Sequence, residues 1–177
     1  MTKISSEPGD TPENPIDTPG LPVVIQTQYI KDMSFENPNA PETLKNINVK
    51  PQMDINIDMG AKRLESDEHK DFYEVTLTLS ASATREDKTL FIAEVTYAAA
   101  IILQNLPESQ HHPMLLGEMP RYLFPYARQL VADLTQNGGY QPIWVNPVNF
   151  KAMYLSRFGK KDEANESDEA EEKVKRG

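Results

Sequence analysis

Two runs of strict alternation constrain this chain more than any other feature. Met53, Ile55, Ile57 and Met59 alternate with Asp54, Asn56 and Asp58, and Val75, Leu77, Leu79, Ala81 and Ala83 alternate with Thr76, Thr78, Ser80, Ser82 and Thr84. Successive side chains of a strand point to opposite faces, so a period of two gives one dry face and one wet face. That pattern belongs to an antiparallel sheet covered on one side; a parallel sheet, buried on both, carries continuous apolar runs. Residues 23–36 and 89–99, rich in Val, Ile, Thr, Tyr and Phe, supply two further strands. Arg85, Glu86, Asp87 and Lys88 form a short polar turn that joins the third and fourth strands into a hairpin. The stretch from Gly60 to Lys70 lacks apolar periodicity and reads as a charged loop. Met53 and Met59, on the dry side of their strand, read as core.

The second half is helical. Leu115, Met119, Tyr122, Tyr126, Leu130 and Leu134 fall on one helical stripe. Pro120 and Pro125 interrupt it, so a regular helix is expected to start at Pro125, where a first-turn proline loses no hydrogen bond. Gly138 and Gly139 end it. A second helix is expected after Pro147, capped by Asn149 and carrying Phe150, Met153, Tyr154, Arg157 and Phe158. Strands first and helices after predict an α+β domain: a four-stranded antiparallel sheet with helices packed on one face.

Composition then sets the outer limits. The 177 residues fit one domain, placed at 21–159. Residues 1–20, with Pro8, Pro12, Pro15 and Pro19 among polar and acidic residues, read as a disordered arm, and residues 160–177 as a charged, frayed tail. The net charge of −9 disfavours nucleic acid and anionic lipid, which need clustered Lys and Arg. A basic partner suits such a chain. Without cysteine, disulfides and thiolate zinc sites are excluded. The start of the chain lacks the basic-then-apolar pattern of a secretory signal, and no apolar run approaches the roughly 18–20 residues that span a bilayer. The reading is a cytoplasmic protein with no stable membrane insertion.

Three segments carry a resemblance. Tyr29 to Pro41 reads Tyr-Ile-Lys-Asp-Met-Ser-Phe-Glu-Asn-Pro-Asn-Ala-Pro, residues 123–128 read Leu-Phe-Pro-Tyr-Ala-Arg, and residues 146–150 read Asn-Pro-Val-Asn-Phe. In this order and spacing they resemble the SecB family of bacterial protein-export chaperones, over about Ile25 to Phe158. The resemblance implies a homotetramer built as a dimer of dimers. It also implies the task of holding unfolded preproteins and passing them to the SecA motor, without cofactor, metal or turnover. The positions matching the family's acidic SecA contact are Asp32, Glu36, Ile92 and Glu94. Alternation independently places Asp32, Ser34 and Glu36 on one strand face, with Asp32 and Glu36 roughly 13 Å apart at ~3.3 Å per residue. Lys31, Met33 and Phe35 then fall on the other.

A holdase must bind without reading sequence, and apolar burial is non-directional enough to do so. Candidates for lining such a groove are Leu44, Ile47, Trp144, Phe150, Met153 and Tyr154, each of which could equally be plain core. An enzyme is the main rival class. His111 and His112 are adjacent, and His69 sits in the charged loop. No His-x-x-x-His spacing, phosphate-binding glycine loop or Gly-x-Ser-x-Gly turn accompanies them. A second rival is a peptide- or antitoxin-binding chaperone of the same fold that acts outside export.

Overall fold

The structure, a computed structural model, describes residue 20, residues 22–45 and residues 50–159. The Pro-rich arm, Ile47 and the charged tail at 160–177 lie outside the described residues. Four strands, β1 (Val23–Glu36), β2 (Gln52–Arg63), β3 (Phe72–Arg85) and β4 (Lys88–Leu103), form one antiparallel sheet in the order β1-β4-β3-β2. The hairpin turn is tighter than expected. Glu86 and Asp87 alone connect β3 to β4, with φ of 51° and 61°. Two left-handed residues give the turn whose twist matches that of the flanking strands.

β2 runs past Gly60 to Arg63, so the charged loop is shorter than the Gly60–Lys70 reading. The apolar pattern ends at Gly60, but backbone pairing continues, with Gly60 opposite Thr76 and Arg63 opposite Tyr73. β1 and β2 are opposite edges of the sheet. After β1, residues 37–45 carry a short 3-10 turn, Glu42–Leu44.

The helical side covers the dry face. A 3-10 turn (Glu108–Gln110), one turn of α-helix (α1, His111–Pro113) and a π-helical turn (Met114–Glu118) lead into α2 (Pro120–Asn137). The expectation that the helix begins at Pro125 is corrected: Pro125 lies inside α2. Its ring and missing N–H are on the exposed side, where the unpaired carbonyl one turn earlier can be hydrated. The buried stripe also differs from the expected one. Leu115, Met119, Leu123, Ala127, Val131 and Thr135 are buried at steps of four, while Tyr122 and Tyr126 face outward. The sequence pattern favours large apolar residues, whereas the close approach of α2 to the sheet selects small Ala127 and Thr135.

The helix ends as expected. Gly138 caps it, and Gly139 at φ 89° lets the Tyr140 N–H donate back to the Thr135 carbonyl at 3.1 Å. A helix at residues 150–159 (α3) starts where predicted, with the Ala152 N–H donating to Asn149 Oδ1 at 3.0 Å. The core gathers Val75, Leu77, Leu79, Val95, Ile101, Leu123, Val131, Phe150 and Tyr154 between the two layers. β1 alone is poorly covered: Ile25, Ile30 and Met33, on its helix-side face, are exposed. The adjacent histidines point apart. His111 lies between the Tyr73 hydroxyl (3.1 Å) and the Leu106 carbonyl (2.9 Å), and His112 Nδ1 is 2.9 Å from the Tyr154 hydroxyl.

Candidate functional site: an apolar cleft and an acidic strip

The helix-covered face is longer than its cover. α2 stops at Gly138, and beyond it the ends of β2 and β3 would be bare but for the strap at residues 139–143. Between strap, sheet and the Thr43–Leu44 and Lys50–Pro51 segments opens a cleft of about 710 Å³. Its walls are Leu44, Pro51, Met53, Ile55, Leu90, Phe91, Tyr140, Pro142 and Ile143, with Thr43, Lys50, Arg85, Gly139 and Gln141 completing the lining. Apolar side chains dominate, and Met53 and Ile55 are substantially exposed, Ile55 at 41%. Met53 is therefore not core as the alternation implied. The strand pattern identifies its face correctly, but the end of α2 decides whether that face is covered.

The cleft is held open by polar ties behind it. The Tyr140 hydroxyl lies 2.9 Å from Asn37 Oδ1, 3.0 Å from the Leu90 carbonyl and 3.1 Å from Thr43 Oγ1, linking the strap, β4 and the segment after β1. Asn37 Nδ2 donates to the Gly138 carbonyl at 3.2 Å and Asn39 Nδ2 to the Thr89 carbonyl at 2.9 Å. The Ile143 N–H donates to buried Thr135 Oγ1 at 3.1 Å. Phe35 stacks on Phe91 of the wall, centroids 5.8 Å apart, and Phe91 meets Tyr140 at a tilt at 4.8 Å. Gly138 is required by this packing: a Cβ there would sit 2.2 Å from Phe35 Cζ.

Of the expected groove residues, Leu44 lines the cleft and Ile47 lies outside the described residues. Phe150 and Tyr154 are corrected to core: Phe150 is 2% exposed, its ring edge-on to Phe124, and Tyr154 packs on Gly117. α3 lays its apolar stripe onto the π-helical turn, which takes those side chains inward. Met153 is half-buried against the same core. Trp144 is 52% exposed but stands away from the cleft, beneath the Arg128 guanidinium at 5.3 Å.

The opposite face of the sheet is acidic. A β-bulge at Lys31, between the Ile30–Tyr97 and Asp32–Thr96 pairs, resets the alternation of β1. Beyond it Asp32 is opposite Thr96, Ser34 opposite Glu94 and Glu36 opposite Ile92. Directly opposed residues share a face, so Asp32, Glu36, Ile92 and Glu94 are brought together, with Glu94 diagonal to both β1 acids. The register continues through Thr78, Ser80 and Ser82 to Asp58, Asn56 and Asp54. Asp54 and Asp58 thus belong to the same strip and were missed; the sequence shows them on a wet face but not which strands lie beside it. Among the described residues, Asp58 pairs with Arg157 at 2.8 Å, while Asp32, Glu36, Glu94 and Asp54 have no ion-pair partner.

The bulge also corrects the position of Lys31, which was expected opposite Asp32. Lys31 reaches Glu74 on the acidic face, where Nζ donates to Oε2 at 2.5 Å. Tyr29 donates its hydroxyl to the other Glu74 oxygen, and Lys62 approaches to 3.5 Å. Lys31 and Tyr29 hold the Glu74 carboxyl below the ordinary carboxylate range. The hydrogen bond to Glu74, with burial, pushes the Tyr29 phenol up to about 12.

A profile described as "Preprotein translocase subunit SecB" matches residues 18–161. The chain is 39% identical over 149 residues to the protein-export protein SecB of Bartonella quintana, covering 84% of this chain and 92% of the relative. It is 43% identical to that of Hyphomonas neptunium, covering 89% and 91%. The SecB-like chaperone of Mycobacterium tuberculosis, solved with a peptide from an antitoxin, matches in fold at a TM-score of 0.58 and 14% identity, over 71% of this chain and 90% of that one. The profile spans every described residue, and the relatives align along almost their whole length; the chain belongs to the SecB family of protein-export chaperones.

Proposed function

We propose that the chain is a cytoplasmic holdase that takes apolar stretches of unfolded preproteins into the cleft and offers its acidic strip to SecA. The observation that carries this reading is the placement of two unlike surfaces on opposite faces of one sheet. A client can occupy the apolar side while a basic segment of the motor lies across Asp32, Glu36 and Glu94. Burying on the order of 400 Å² of client apolar surface contributes roughly 10 kcal/mol gross at ~25 cal/mol/Å². Ordering the client offsets much of that, leaving modest affinity per cleft. Several clefts in one assembly restore retention through effective concentration.

Assembly is supported by β1. It is an edge strand of 14 residues with unpaired backbone groups along its outer side. Its Ile25, Ile30 and Met33 are exposed beside the outward Tyr122 and Tyr126 of α2. A long edge with apolar flanks invites pairing with a second copy, and the aromatic helix face suits a further contact between dimers. A tetramer has a mass of about 80 kDa, four times the 20.0 kDa chain. No step in this reading makes or breaks a covalent bond.

Charge reversal of Glu36→Lys with Glu94→Lys tests the docking surface. SecA association measured by calorimetry is expected to disappear, while binding of an unfolded client is retained. SecA binding that survives the double reversal moves the docking surface elsewhere.

A further inference from the structure

We propose that Arg157 is an edge guard: it keeps β2 from pairing with the β2 of a second copy, so that self-association runs through β1 alone. This rests on the reading of β1 as the self-pairing edge. The sheet ends in β1 on one side and β2 on the other, and among the described residues no strand lies beyond β2. Pairing of β1 with a second β1 about a two-fold axis uses the same surface on both copies and closes. If the other edge paired as well, each assembly would be joined to the next without end.

Composition does not protect the first half of β2. Met53 and Ile55 are exposed there beside an edge backbone, the combination that invites strand addition. The far end of the strand is charged, with Lys62 paired to Glu74 at 3.5 Å and Arg63 to Asp71 at 3.2 Å. Between these halves stands Arg157. Its helix, α3, packs on the helix side of the sheet through Phe150 and Tyr154. Asp58 is on the acidic face, in register with Thr78 and Thr96. Yet the Arg157 guanidinium donates from Nη1 to Asp58 Oδ1 at 2.8 Å and from Nη2 to the Ile57 carbonyl at 2.9 Å. A side chain rooted on one face and bonded on the other must pass around the outer edge of β2. It lies where the next strand would sit, about 4.8 Å away, and it occupies a carbonyl of the edge strand. A strand from a second copy would have to displace both charge-assisted bonds before pairing at this level.

The chain has no cysteine, so Asn56→Cys gives the full-length protein a single nitroxide label on β2 beside the guarded position. With Arg157 intact, spin coupling between copies is expected to be absent. Arg157→Met keeps the apolar stem and loses both bonds. It is expected to introduce coupling and to raise the mass, by light scattering at increasing protein concentration, about twofold or more. Absence of both changes overturns the guard and leaves the β1 reading standing. Growth without coupling places the new contact away from β2 and also overturns the guard. Coupling already present with Arg157 intact shows β2 self-pairing in the native protein, which removes the β1 reading and the guard with it. If Arg157→Met loses its fold by far-UV circular dichroism, Asp58→Ala takes its place. That change of an exposed residue frees the same guanidinium from its carboxylate, and the same outcomes decide, with a smaller rise in mass.

Discussion

Replacing Glu74 by Gln isolates one electrostatic unit of the sheet without changing its shape. The Glu74 side chain is 8% exposed and accepts from Tyr29 and Lys31, with Lys62 at 3.5 Å. Gln keeps the volume and can still bond Tyr29, but loses the charge. Charge-assisted hydrogen bonds contribute roughly 1.5–3 kcal/mol and neutral ones about 1, so two bonds lose about 1 kcal/mol each. Lys31 is 40% exposed and returns partly to water, and Lys62 at its greater distance adds little. The expected loss is about 2 kcal/mol at neutral pH, a fall in Tm of roughly 4–8 °C for a domain of this size.

The loss depends on pH in a defined direction. Because the folded Glu74 carboxyl titrates below its ordinary value, its stabilisation is fully present above the unfolded pKa and disappears as pH falls through the folded one. Denaturant melts of wild type and Glu74→Gln at fixed protein concentration should therefore differ at neutral pH and converge in acid. Tyr29 gives a second readout. Its phenol, at about 12 in the folded protein, should titrate closer to 10 in the variant, seen in phenolate absorbance. Unchanged stability at neutral pH, a gap that persists below the carboxylate range, or an unmoved Tyr29 titration would each refute this account.

Other substitutions probe the cleft and its frame. Ile55→Asp should weaken client binding about tenfold, since a half-exposed Ile leaves roughly 1 to 1.5 kcal/mol of apolar burial for a client to gain; Trp144→Ala should leave the same titration unchanged. Gly138→Ala should destabilise by about 1–3 kcal/mol in denaturant melts, because the new Cβ falls within 2.2 Å of the Phe35 ring and the stacked wall must shift. Met33→Lys together with Ile30→Lys should lower the mass in solution below that of wild type, measured by light scattering, and an unchanged mass would place the self-contact away from β1.

The alternation in β2 and β3, the hairpin and the glycine stop after α2 were legible because each is a local pattern with one physical meaning. That Asp32 and Glu36 share a face was legible from the alternation too, while the grouping with Glu94 came through the resemblance to a family. Periodicity within β1 alone put Lys31 on the wrong side, since a bulge is a property of the pair of strands rather than of either one. The cleft was the least legible part. Met53 and Ile55 have the pattern of core residues; only the position at which α2 ends, relative to the ends of β2 and β3, leaves them open. In the same way Phe150 and Tyr154 are apolar enough for a groove, but the π-helical turn gives them a seat in the interior.

The bulge at Lys31 makes the length of β1 matter more than its composition. It acts as a frame change: Ile30 and Met33, three residues apart, both face the helices only because Lys31 is the extra residue of the pair, and the same offset keeps Phe35 in the aromatic cluster and Asp32, Ser34 and Glu36 on the far side with Glu94. Point changes along this strand can be absorbed one at a time. An insertion between Asp32 and Glu36 cannot: with the bulge kept at Lys31, every residue beyond it would turn to the opposite face.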